Sequence, residues 1–582
     1  MEKIEAKILL KNLLKRIRQV DEDSYELKGT LTDDEVIALK FALSMLDSNA
    51  SVPVETPRVQ PSSDTVVLKP VPEYTPEPEI NNPIIEPLVE SAKTKQELVK
   101  RKVELDLSVL SLPSPAENER LCLDFGTAMS KVTLVRDKSP ERDFEDIQVL
   151  RLGIPGDQEE VSETMLISSV FIDPEGKLWF GKRAQDLSVQ YEGMQRLDNI
   201  KRYLSEEGFN EPVSKLFNPT EIQITYGDMV MAYLMYLTWA VNQSLEEFEA
   251  PRNLNRRFAM PCLDKSKSRD AEQSLSSMLG EAQVLADTFY RTLHEGISLS
   301  EFMEAKKQVR EEKRDYQFIK DGITEPLGVA GSIMSWEGNV NALVMVVDVG
   351  AGTSDFSMYR MAFNRETGKS TALEVENSMM GITEAGNWLD NLLKNLILKK
   401  AEITYEHPHF RNFLGDLELS LREYKEQLFE TGEVYAKLFN GEFIEIQLEE
   451  FLALPQVQKF ADSLVNCRDE ILDRIDSSFI KGAPNGALGL ALTGGGASLP
   501  MVKALAKGTI RLQGIDLKLV QTQEFPRWLN DDFPELEEDY PRIAVSLGGA
   551  RKRVISHGGV ASITAGGIQE NPSLSGYFTK GQ

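Results

Sequence analysis

Along the middle of the chain, short apolar runs alternate with longer segments whose apolar residues fall at helical spacing. The runs RLCLDFG (120–126), KVTLVR (131–136), ALVMVVDVG (342–350), DFSMYR (355–360) and ALGLALTGG (487–495) read as strands. Strands interleaved with long helical patterns predict an α/β architecture with more than one sheet over residues 116–554. The most apolar stretch, MVMAYLMYLTWAV from Met229 to Val241, is short of the ~20 helical residues that a bilayer needs. It predicts a buried helix.

The flanks have other patterns. Residues 1–48 predict a small helical module whose second helix opens at LTDDEV, with Thr32 and Glu35 as a capping box and Leu31 and Val36 as its apolar staple. The N-terminal twenty residues are charged throughout and lack the apolar core of a signal peptide. Residues 49–115 begin proline-rich and polar (SVPVETPRVQPSSDTVVLKPVPEYTPEPEI) and predict a flexible linker, with one helical pattern at SAKTKQELVKRK. Residues 555–582 are rich in Gly and Ser and predict a loose tail.

Charge narrows the class. Lys+Arg 65 against Asp+Glu 92 gives a net charge of −27 over 582 residues, which argues against a nucleic-acid protein or one held on an anionic membrane surface. Cys122, Cys262 and Cys467 are far apart and outside metal-ligand spacing, as expected of reduced thiols in a cytoplasmic protein. The one close histidine pair, His407 and His409, has no cysteine or carboxylate spacing to complete a zinc site. No Walker loop or G-x-S-x-G elbow occurs.

Two stretches share one plan. RLCLDFGTAMSKVTLV (120–135) and VVDVGAGTSDFSMYR (346–360) each run from an apolar strand to an aspartate, a glycine turn with a threonine, and a returning strand. Glycine lets backbone N–H groups converge on an anion, and threonine adds a hydroxyl donor. An aspartate repels phosphate, so Asp124 and Asp348 suit a Mg²⁺ ion held through water. Two such hairpins face to face would grip a triphosphate. A third element, LALTGGGASLPMVKALA (490–506), is a strand, a glycine turn and a helix, suited to the sugar and base.

In this order the three loops resemble the actin, DnaK-type chaperone and sugar-kinase superfamily of ATPases. The likeness is closest to the nucleotide-binding domain of DnaK-type heat-shock chaperones and covers most of residues 120–553. The resemblance implies two related actin-like domains with ribonuclease-H-like sheets flanking a cleft that binds ATP and Mg²⁺. It implies Asp124, Asp348 and Asp355 around the metal and water, with Gly126, Thr127, Gly350, Gly352 and Thr353 on the phosphates. FGKRAQ (180–185) and LDNIKRYL (197–204) are similar to the segment carrying a phosphate-reaching lysine, here Lys201. Lys131 stands where the actin branch has another. ITEPLGVAG (323–331) is similar to the motif whose glutamate organises the attacking water, here Glu325, a role that Asp348 could share. EAGNWLDNLL (384–393) places Gly386 near the nucleotide, and FAMPCLDKSKSRDAEQS matches a strand-proline-helix step. PRIAVSLGGA (541–550) is similar to the closing helix. On the base side the resemblance points to Lys425 in LSLREYKEQLF (419–429) and to Gly494, Gly495, Gly496 and Ser498. Ala128, Arg422, Glu426, Arg542 and Ser498 itself depart from the chaperone pattern, four of them on the base side.

Three functions fit the pattern: a chaperone-like ATPase switch that hydrolyses slowly, an actin-like filament or scaffold, and a small-molecule kinase. About thirty residues follow the closing segment, fewer than a peptide-clamping domain needs. The expectation is therefore a switch without such a clamp, meeting a protein partner through its N-terminal module or linker. Self-association stays open.

Overall fold

The computed structural model describes residues 17–21, 24–27, 103–138, 145–191, 194–204, 208–260, 265–336, 338–512, 514–522, 524–555 and 557–563. The chain divides into two compact units, Met1–Lys100 and Arg101–Gln582. In the first, Ile17–Asp21 pairs antiparallel with Ser24–Leu27, Ile17 opposite Leu27. The helical expectation fails there, because the acidic, polar stretch between Val20 and Ser24 breaks the helical pattern and favours a reversal. The predicted capping box at Thr32 and most of the linker lie outside the described residues.

The second unit is a mixed α/β body with several mixed sheets. In its first large sheet, Ile319–Thr324, Asn255–Met260 and Glu119–Asp124 run parallel. An antiparallel meander follows through Met129–Asp137 to Glu145–Val149. The second sheet repeats this order. Ile515–Gln521, Ala487–Thr493 and Val340–Val349 are parallel, and Ser354–Asn364 and Lys369–Val375 return antiparallel. In both sheets the glycine hairpin joins the third parallel strand to the meander. Two ends of the expected organisation shift. Val109 is buried and Val103, Leu105 and Leu110 pack on the first core, so the folded body starts before residue 116. His557–Ala561 adds a parallel strand beside Lys369–Val375, so the tail is not loose from its start. Val560 lies opposite Glu374, and this glycine-rich run covers an otherwise open sheet edge.

Side-chain alternation divides most of the buried apolar residues into three large cores, beside a small cluster of Met129, Met165 and Ile167. Leu121, Leu123, Val132 and Leu134 face outward onto the helices Tyr226–Glu247, Lys265–Thr288 and Leu299–Glu311. Tyr226–Glu247 is the expected apolar helix, and Thr225 and Asp228 close a capping box at its start. No helix among the described residues is long and apolar enough to cross a membrane. Leu343, Met345, Val347, Phe356 and Met358 face Gly386–Lys400, Phe410–Thr431 and Pro455–Arg474. The intervening positions make a third core between the sheets: Cys122 and Val135 from one, Val344, Val346, Tyr359 and Met361 from the other.

The helices Glu325–Ile333 and Tyr540–Ala550 cross inside this third core. Any side chain at Gly548 would collide with the carbonyl of Gly328, so the two backbones touch. At the end of the crossing, Arg551 bonds Glu145 at 2.8 Å and the Gly331 carbonyl at 3.1 Å, with its guanidinium 3.9 Å from the Trp528 ring.

Candidate functional site

Parity decides where the charged residues go. Asp124 is two residues beyond Cys122, and Asp348 two beyond Val346, so both continue the faces that meet in the third core. Lys131 follows the parity of Val135, and Asp355 that of Tyr359. Four charged groups therefore leave the two sheets toward one space, at the carboxyl ends of the parallel strands. Crevices at such strand ends are where open α/β sheets bind ligands.

The hairpins differ in one pairing. In the first, Asp124 lies opposite Lys131, and the ammonium is 3.4 Å from Oδ2. In the second, Asp348 lies opposite Asp355, carboxylate beside carboxylate. The Thr353 hydroxyl donates to Asp355 at 2.6 Å. The loop tips meet: a Cβ on Gly352 would stand 3.0 Å from the Thr127 methyl. Gly126, Thr127, Gly350, Gly352 and Thr353 are thus at one junction.

Lys201, on the short 3-10 turn Ile200–Leu204, forms an ion pair with Glu325, the first residue of the crossing helix. Burial alone would lower the Lys201 pKa, but Glu325, Asp124 and Asp348 outweigh it and hold the ammonium charged. Burial raises the Glu325 carboxyl; Lys201 opposes this, and Asp124 and Asp355 add to it. Burial, then Glu325 and Asp355, push Asp348 up to about 7, against Lys131 and Lys201. These mutual influences place Asp124, Lys131, Lys201, Glu325, Asp348 and Asp355 in a single electrostatic cluster. Four carboxylates face two ammoniums. Even so, among the described residues no three Asp, Glu, His or Cys side chains are grouped to hold a metal ion directly.

The third loop folds against the second hairpin. Gly496 N–H donates to the Val349 carbonyl at 2.9 Å, and Gly494 N–H to that of Pro541 at 3.1 Å. Gly494 has φ +82°, and a side chain there would strike Asp348 and the Val349 backbone, so glycine is required on both counts. Gly495 opens to free space, and Ser498 is exposed without joining the cluster. Gly386 donates to the Gly350 carbonyl at 3.0 Å, and Lys425 reaches the Gly386 carbonyl at 3.3 Å and Asp390 at 2.8 Å. Arg422 and Arg542 grip Glu426 from two helices, at 3.0 and 3.1 Å.

Several site residues carried no signal of their own. Asn387 donates to Asn199 at 3.3 Å, tying the Gly386 helix to the turn of Lys201. Both asparagines adjoin expected positions, in LDNIKRYL and EAGNWLDNLL, but an isolated asparagine reads as a turn former. Asp390 became visible only once the helices were packed. In sequence, no protein-family model matches the chain, and no curated protein matches it either.

Proposed function

We propose that this chain binds ATP with Mg²⁺ between its two glycine hairpins and hydrolyses it slowly, as a nucleotide-driven switch of the actin and DnaK-chaperone type. The observation that carries this is the meeting of Thr127 and Gly352 beside one cluster of six charged groups. The strand order repeated in the two sheets supports the two-lobed form of the proposal.

The residues suit a cation better than a bare anion. Asp348 and Glu325 repel one another, and the surplus of carboxylates disfavours a polyphosphate arriving without its metal. Asp124, Asp348 and Asp355 would hold Mg²⁺ through water, since they are not grouped for direct ligation. The bound ion would neutralise charge on the phosphate being transferred. The turn N–H groups and the Thr127 and Thr353 hydroxyls hold phosphate oxygens. Lys201 turns from Glu325 to the terminal phosphate, which frees the Glu325 carboxylate to orient water. Lys425 and the loop 494–496 flank the nucleoside, and residues 1–115 recruit the protein partner.

Single-turnover hydrolysis of ATP by Lys201→Ala tests the assignment. We expect binding within a few-fold of wild type and hydrolysis slowed about 10²-fold or more. Wild-type protein that binds no ATP, or a variant that hydrolyses at the wild-type rate, would contradict it.

A further inference from the structure

The outer face of the second sheet carries a buried cation that meets no anion among the described residues. Arg360 is 8% exposed, and its Nε and Nη1 atoms have no hydrogen-bond partner among those residues. Burial lowers its pKa with no charged neighbour contributing. Other buried arginines are answered: Arg551 by Glu145 and two carbonyls, Arg468 by Asp469 and the Leu505 carbonyl. A guanidinium stays charged in proteins, so Arg360 cannot shed its proton instead.

Its surroundings are polar on one side only. Arg360 lies opposite Leu343 and Leu373, on the face of Met358. One step along that face, Ala362 lies between Asn341 and Thr371. Ala362, Asn341 and Thr371 are partly exposed, so the smallest side chain of the three stands between an amide and a hydroxyl at the surface. The Asn341 Oδ1 is also buried without a partner, and turning the amide over presents its NH₂ group.

We infer that Arg360, Asn341 and Thr371 form a binding site for an oxyanion, the carboxylate or phosphate ester of a small molecule. Arg360 supplies the charge, and the amide and hydroxyl supply neutral donors. The site is on the opposite face of the sheet from Asp355, five residues back on the same strand.

Thermal melts with inorganic phosphate or acetate, at ionic strength held constant with chloride, test this on the full chain. Wild type should be stabilised saturably by at least one of the two. Arg360→Met, whose apolar stem keeps its place beside Leu343 and Leu373, should fold and need at least tenfold more of that anion; Thr371→Val should need severalfold more. Phosphate bound at the glycine loops would persist in the Arg360 variant and so be separable. A response to phosphate alone assigns a phosphate ester, and one to acetate a carboxylate. Identical anion responses in wild type and Arg360→Met, or none in wild type, would overturn the site.

Discussion

Asp348 concentrates the electrostatic tension of the site. Its carboxyl is held near pKa 7 by burial and by Glu325 and Asp355. A carboxyl whose folded pKa is raised contributes stability below its ordinary value of about 4, and this is lost as pH rises toward about 7. The nucleotide-free protein should therefore weaken across that window. Asp348→Asn should flatten part of the slope and melt higher than wild type at pH 8, by about 2 °C. Melts of both proteins from pH 4 to 8 check this; parallel curves would mean that Asp348 is not strained. Lys201 is the converse case. Removing it strands a largely buried Glu325 carboxylate, so Lys201→Ala should lose about 1–2 kcal/mol at pH 8, the partial exposure of both groups reducing the figure. Lys201→Ala with Glu325→Gln should regain most of it in urea unfolding.

At the scale of elements, the two hairpins were legible because an aspartate, glycine turn and threonine between apolar runs is a local pattern. Lys131 and Lys201 were legible by position within longer motifs. The crossing of Glu325–Ile333 with Tyr540–Ala550 was not, because it depends on glycines over two hundred residues apart meeting at one point. The Gly548→Ala methyl would drive apart backbones already in contact, at a cost of about 1–3 kcal/mol or more. Arg551→Ala leaves the buried Glu145 with only the more distant Arg120, at 3.7 Å, and the Lys552 N–H, and should cost about 2–4 kcal/mol. Urea unfolding measures both; a loss under about 0.5 kcal/mol in either would remove the crossing from the account of stability. The strand His557–Ala561 escaped the sequence for a related reason: glycine-rich segments have weak strand signals, and an open sheet edge recruited this one. The pairing of Ile17–Asp21 with Ser24–Leu27 has a weak signal, because the short acidic stretch between Val20 and Ser24 is all that marks the reversal.

At the scale of the whole molecule, alternation in two similarly ordered sheets puts apolar residues into a shared middle core and the charged residues at its open end. A ligand spanning that end contacts both sheets and should stabilise the body as a unit. Mg²⁺ and ATP at a hundred times the dissociation constant should add about 2.7 kcal/mol to unfolding. The most direct measurement is calorimetric titration of ATP with and without Mg²⁺ into wild type and Asp348→Ala. Wild type should bind saturably at one site in a Mg²⁺-dependent way, and the variant tenfold or more weakly. Equal affinity in the two proteins, or affinity indifferent to the metal, would contradict it.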